Sequence, residues 1–171
     1  MRIENDMRLL LYQYIYEKLK ICVEKASPNE ACGLIFGNIK EIKNPDPKDD
    51  YLYNYTCLHF ECIKSSRESA VAFLIESSEE VNEIIQNTRL EKNTQLISIF
   101  HSHPGSNQPS GVDLDYMRIL DSGERIYCGQ KINRLLKNQI WTIMNARNFE
   151  LKGFIYLNNE LFQIVVEEVK K

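Results

Sequence analysis

The segment QLISIFHSHPGSNQPSGVD, residues 95–113, constrains the fold more than any other part of this chain. It begins as a largely apolar run of strand length, QLISIFH. Pro104 and Gly105 then stop the strand, and a second proline, Pro109, precedes Ser110-Gly111-Val112-Asp113. That last pattern resembles a helix start, with Ser110 as N-cap and Asp113 at the third helical position. A buried strand therefore hands the chain to a Pro/Gly loop and then to a helix over about 110–120. Two of the three histidines in the chain, His101 and His103, stand at the end of that strand.

Residues two apart on a strand point the same way, so the two imidazoles project side by side, with Cα atoms roughly 6–7 Å apart. Two rings so placed can converge on one ion, since Zn–N bonds are about 2.0–2.1 Å long. A catalytic zinc takes three protein ligands and keeps one position for water. Asp113 and Asp115 are the candidates for the third. On a helix they lie about 200° apart, so both cannot face one metal. Asp113 falls in the first turn, where the helix dipole favours an ionised carboxylate. Alone, an HxH pair can merely line a sheet and Asp113 can merely cap a helix. Their conjunction in one segment of a histidine-poor chain points to a metal site.

The rest of the chain reads as one domain, 1–171, of α/β class with a mixed central sheet flanked by helices. Residues 6–26 have the spacing of an amphipathic helix, with Leu11, Ile15, Leu19 and Cys22 on one face. SPN (27–29) breaks it, and ACGLIFG (31–37) reads as a short buried strand. NPDPKDD (44–50) is a loop, and 53–63 and 70–75 read as strands. Ser77 with Glu80 resembles a capping box opening a helix to about residue 90, with Val81, Ile84, Ile85 and Leu90 toward the core. Three strands close the chain at 139–146, 151–157 and 161–169. Segment 121–139 reads as a loop with a short helix that packs over something.

A net charge of −3 gives no general basic field for nucleic acid. No apolar run approaches the ~20 residues that span a bilayer, and the first residues lack signal-peptide order, so a cytoplasmic protein is expected. The five cysteines form no CxxC pair, which argues against a disulfide framework. Buried thiols are the expected reading, and one disulfide would suit a hyperthermophile source. Cys57, His59 and Cys62 are a rival ligand set, but their spacing fits no common zinc pattern. They read as ordinary strand positions.

The pattern HSHP-x4-PS-x2-D resembles the signature of the JAMM (MPN+) zinc metalloproteases. Its spacing is one residue shorter than in eukaryotic deubiquitinases and is similar to that of prokaryotic single-domain members. A second match is PNEACGLIFG (28–37), which resembles the upstream P-x-E-x-CG pattern of that family. The resemblance covers nearly the whole chain, and 121–139 is its poorest part. It implies a single MPN-like domain and one zinc ion per chain, held by His101, His103 and Asp113. It implies that Glu30 is the general base and that the Ser110 hydroxyl stabilises the oxyanion. That second role competes with N-capping for one oxygen. The substrate it implies is the C-terminal tail of a ubiquitin-like or sulfur-carrier protein, cleaved after Gly-Gly. A sulfur-metabolism peptidase that releases an amino acid from a carrier, and a non-catalytic MPN scaffold, are the alternatives. No nucleic-acid or membrane partner is expected, and a homodimer is left open.

Overall fold

The computed structural model describes residues 3–43, 51–65, 69–76 and 79–170. The loop expected over 44–50 and the Ser77 half of the expected capping box lie outside them. The described elements run, in chain order, α1 (Ile3–Asp6), β1 (Met7–Tyr12), α2 (Gln13–Ala26), β2 (Cys32–Lys43), β3 (Tyr51–Ile63), α3 (Ala70–Ile75), α4 (Glu79–Lys92) and β4 (Gln95–His103). They continue with α5 (Gly111–Ser122), β5 (Ile126–Tyr127), β6 (Gln130–Lys131), a 3₁₀ turn (Arg134–Leu136), β7 (Ile140–Asn145), β8 (Leu151–Leu157) and β9 (Glu160–Val169).

Seven strands form one mixed sheet in the order β1-β3-β2-β4-β7-β8-β9, and parallel pairing of β9 with β1 closes it into a barrel. The mixed α/β domain is thus as the sequence implied. β4 lies between antiparallel β2 and parallel β7. It is buried from Leu96 to His103, which explains why Leu96, Ile97, Ile99 and Phe100 on both of its faces are apolar. Ile99, Leu34, Phe36, Trp141 and Ile143 pack with α3, α4 and α5 in one core cluster. Ile97, Phe100, Ile35 and Met144 pack with β1 and α2 in another. The two clusters lie on opposite faces of the sheet; strand residues alternate sides, and the register shift of β4 against Ile35 and Phe36 lets Ile97 and Ile99, two residues apart, reach different clusters.

Four expectations need correction. The helix read over 6–26 is β1 followed by α2. Met7, Leu9 and Leu11 are buried and the residues between them half-buried, a two-residue period that apolar Leu10 conceals. Leu11, Ile15, Leu19 and Cys22 are all buried as expected, but Leu11 reaches the core from a strand. Second, 70–75 is helix, not strand. Ser69 caps it, its hydroxyl accepting from Ala72 N–H, and an apolar run this short carries no period that separates the two states.

Third, Leu90 is 82% exposed, and Thr88 takes the buried position on α4. Fourth, Cys22 and Cys62 form a disulfide, whereas Cys32 and Cys57 are the buried free thiols expected. The rival ligand set dissolves with this pairing. Cys57 is buried, His59 hydrogen-bonds Glu61 at 2.6 Å, and Cys62 is committed to Cys22.

Segment 121–139 forms a small hairpin, β5–β6, and the 3₁₀ turn. Asn133 N–H donates to Ile75 O at 2.8 Å, which ties the segment to α3. Ile132 and Leu136 enter the core cluster beside α5, while Ile126 and Leu135 stay exposed. The segment is therefore part core and part surface.

Candidate metal centre

His101 and His103 share the β4 face that looks toward α5, and Asp113 stands in the first turn of that helix. The short loop 104–110 folds the helix start back over the strand end. His103 O accepts from Ala146 N–H at 2.9 Å, which fixes the strand end against the turn after β7. All three side chains are withdrawn from water: the residues are 0%, 8% and 2% exposed.

The ligand atoms converge. The two Nε2 atoms are 3.1 Å apart, His101 Nε2 is 3.2 Å from Asp113 Oδ1, and His103 Nε2 is 3.2 Å from Asp113 Oδ2. Around a tetrahedral zinc with bonds near 2.0–2.1 Å, ligand atoms are spaced by about 3.3 Å. Each imidazole nitrogen meets its own carboxylate oxygen at close to that spacing, and the donors, two imidazoles and a carboxylate, are a usual zinc set. Among the described residues this is the one group of three His, Cys, Asp or Glu side chains placed to hold an ion. The cluster therefore fits a metal ion. Asp115 points elsewhere, exposed and paired with Arg118 at 3.0 Å.

A capping box orients the carboxylate. Ser110 N–H donates to Asp113 Oδ2 at 2.6 Å, and Ser110 Oγ accepts from Asp113 N–H at 3.2 Å. Burial opposes ionisation of Asp113, but hydrogen bonds from His101 and His103 outweigh it and hold the carboxyl well below its usual range. At His103, burial favours the neutral ring, while the Asp113 hydrogen bond and the charges of Asp113 and Glu30 raise its pKa overall. His101 Nδ1 is buried without a hydrogen-bond partner, and the Trp141 ring stands edge-on to that imidazole.

Glu30 and Ser110 reach the same place from different elements. They line a pocket of about 270 Å³ with Ser69, Val112, His103 and Asp113. Glu30 is half-buried just before β2 and also borders a second concavity of about 450 Å³ walled by the Cys22–Cys62 disulfide. It thus forms a ridge between the two. Cys32, two residues on, is not a rival nucleophile. Burial and the Glu30 charge push its thiol up to about 12, so it stays protonated near neutrality.

One contributor was invisible in the sequence. Ser102, between the two histidines, points to the opposite face of β4. Its N–H donates to Ala31 O at 3.0 Å, and its Oγ accepts from Ala31 N–H at 2.9 Å. It thereby holds the residue next to Glu30. The alternation of the strand could have shown that Ser102 faces away from the metal cluster, but not what it meets.

Residues 15–143 match the family Prok-JAB, prokaryotic homologs of the JAB domain. No curated protein matches the chain. Among solved structures, the chain is similar to the solution structure of protein DSY2949 from Desulfitobacterium hafniense. The TM-score is 0.62 at 16% identity, over 96% of this chain and 94% of that one. At that identity the likeness shows the fold alone.

Proposed function

The chain belongs to the prokaryotic homologs of the JAB domain, and from that premise we propose that it is a zinc-dependent peptidase or isopeptidase. The observation that carries this reading is the convergent, buried His101–His103–Asp113 cluster with a carboxylate, Glu30, and a hydroxyl, Ser110, on the same small pocket as His103 and Asp113. A pure scaffold would have no use for three withdrawn ligands beside a partly open carboxylate.

Held by His101, His103 and Asp113, zinc supplies Lewis acidity, which acidifies water and polarises an amide carbonyl. The chain's own residues supply the rest. Glu30 accepts the proton of the attacking water on a carboxylate oxygen and delivers it to the leaving amine nitrogen. Ser110 has a single hydroxyl hydrogen and two lone pairs. One lone pair accepts from Asp113 N–H, which leaves the hydrogen free to donate to the oxygen of the attacked carbonyl. Capping and oxyanion stabilisation therefore do not exclude one another. Asp113, fixed by the Ser110 amide, keeps both imidazoles aimed at one point.

The substrate we propose is a protein tail ending in Gly-Gly, from a ubiquitin-like or sulfur-carrier protein. The pocket is shallow and small, and Val112 and Ser69 are part of its lining. Glycines beside the scissile bond let the backbone approach buried ligands closely. The test is incubation of zinc-loaded protein with carrier proteins bearing C-terminal adducts after Gly-Gly, read by intact mass. Loss of the adduct mass is expected, together with sharply slower loss when the last glycine becomes valine. Cleavage of unfolded casein at many sites, indifferent to glycine, would instead mark a general protease and end the proposal. An adduct that is a single amino acid, removed faster than a conjugated protein, would favour the sulfur-metabolism role over deconjugation.

A further inference from the structure

We infer that Ser102 is a positioning residue for Glu30, acting through the backbone of Ala31. This rests on the proposed role of Glu30 as proton acceptor.

The last registered pair between β2 and β4 is Cys32 with His101. One step further, Ala31 and Ser102 face each other. A regular antiparallel pair there would exchange two main-chain hydrogen bonds. Only one is made, from Ser102 N–H to Ala31 O at 3.0 Å. The reciprocal bond, from Ala31 N–H, goes to Ser102 Oγ at 2.9 Å. A side chain therefore closes the ladder at the point where the chain turns toward Glu30. Ser102 is 1% exposed, so its hydroxyl is committed to this bond and shielded from bulk water. It also borders the concavity of about 450 Å³ lined by Ser27, Pro28 and Asn29, the loop that leads into Glu30.

The same residue joins the two halves of the site. On its own strand it separates the two metal-ligating histidines. Across the ladder it fixes the α-carbon next to that of Glu30, which is about 3.8 Å away along the chain. The distance from base to ligands is thus set by one hydroxyl. Without it, Ala31 N–H is left to seek the Ser102 carbonyl, and the chain shifts at Glu30. A displacement of about 1 Å of a catalytic group can cost on the order of 100-fold in rate.

The test compares wild type, S102A and S102T as zinc-loaded full chains. The probe is a ubiquitin-like protein whose C-terminal Gly-Gly carries an aminocoumarin amide. S102A should keep its zinc and lose roughly 10- to 100-fold in kcat, with KM changed less than about two-fold, because the loss falls on the transition state. S102T retains the hydroxyl and should recover most of kcat. In an E30A background, S102A should take nothing further, since residues that act as a unit are not additive. Independently of turnover, amide exchange should accelerate at Ala31 in S102A and return toward wild type in S102T. Equal kcat in S102A and wild type, or full additivity with E30A, would overturn the inference. Wild type that binds zinc but hydrolyses no probe would count against the proposed function, and exchange at Ala31 would then decide alone: protection unchanged in S102A sinks the Ser102 clamp.

Discussion

Breaking the Cys22–Cys62 disulfide should destabilise the fold by about 4 kcal/mol. The two cysteines are 40 residues apart in sequence. Loop-closure entropy for a ring of that size is about 13 cal/mol/K, or about 3.9 kcal/mol at 25 °C. For a domain of this length each kcal/mol moves the melting temperature by about 2–4 °C, so the loss should be about 8–16 °C. The closed ring contains β2, β3 and the loop that leads into Glu30. Cys62 lies opposite Gly33 in the ladder, so the crosslink ties the end of α2 to the strand pair beside that loop. Gly33 itself tolerates no side chain there, because a Cβ would fall against the Glu61 carbonyl and the Phe60 ring.

The assay is urea unfolding of wild type, with and without a phosphine reductant, beside C22A/C62A. Thiol counting under denaturing, non-reducing conditions should find three free thiols, Cys32, Cys57 and Cys128. The reductant should destabilise wild type and leave the double variant unchanged. A loss below about 1 kcal/mol in both would refute the loop-closure reasoning, since that model gives nearly four times as much.

Metal analysis of protein purified without chelator should show one zinc per chain, lost in H103A and kept in H59A; the reverse pattern would overturn the ligand assignment. E30Q should retain zinc and lose turnover by about 10²- to 10⁴-fold, as expected for removal of a general base. Near-normal activity in E30Q would remove Glu30 from the mechanism. L136A should cost about 2–5 kcal/mol in a denaturant melt with KM unchanged, because Leu136 is fully buried. Replacing exposed Ile126 by serine should instead raise KM and leave the melt alone; the opposite outcome would make the hairpin structural throughout.

The metal cluster was legible because its parts are close in sequence and each obeys a short-range rule. Strand alternation puts His101 and His103 on one side, proline and glycine end the strand, helical geometry separates Asp113 from Asp115, and the helix dipole at the first turn favours Asp113. The structure keeps each of these local consequences: a shared face, a capping box and an exposed Asp115. Glu30 obeys no such rule. A glutamate after a turn is ordinarily a solvated residue, and only likeness to a family pattern singled it out.

What the sequence hid is what depends on partners far along the chain. β1 falls inside a helical pattern because Leu11 keeps helical spacing with Ile15, Leu19 and Cys22. Its strand state is set by pairing with β3 and β9, more than 40 and more than 150 residues away. Cys22 and Cys62 show no local motif, since a disulfide needs only that two backbones meet. Ser102 is the sharpest case. Its neighbours are the most readable residues in the chain, and its own orientation follows from theirs. Yet its acceptor oxygen is matched to a donor 71 positions earlier. A candidate metal site held by neighbouring residues can be read from a short stretch of sequence. The geometry of the proposed base, Glu30, is written across two strands, and there the folded sheet is the only source.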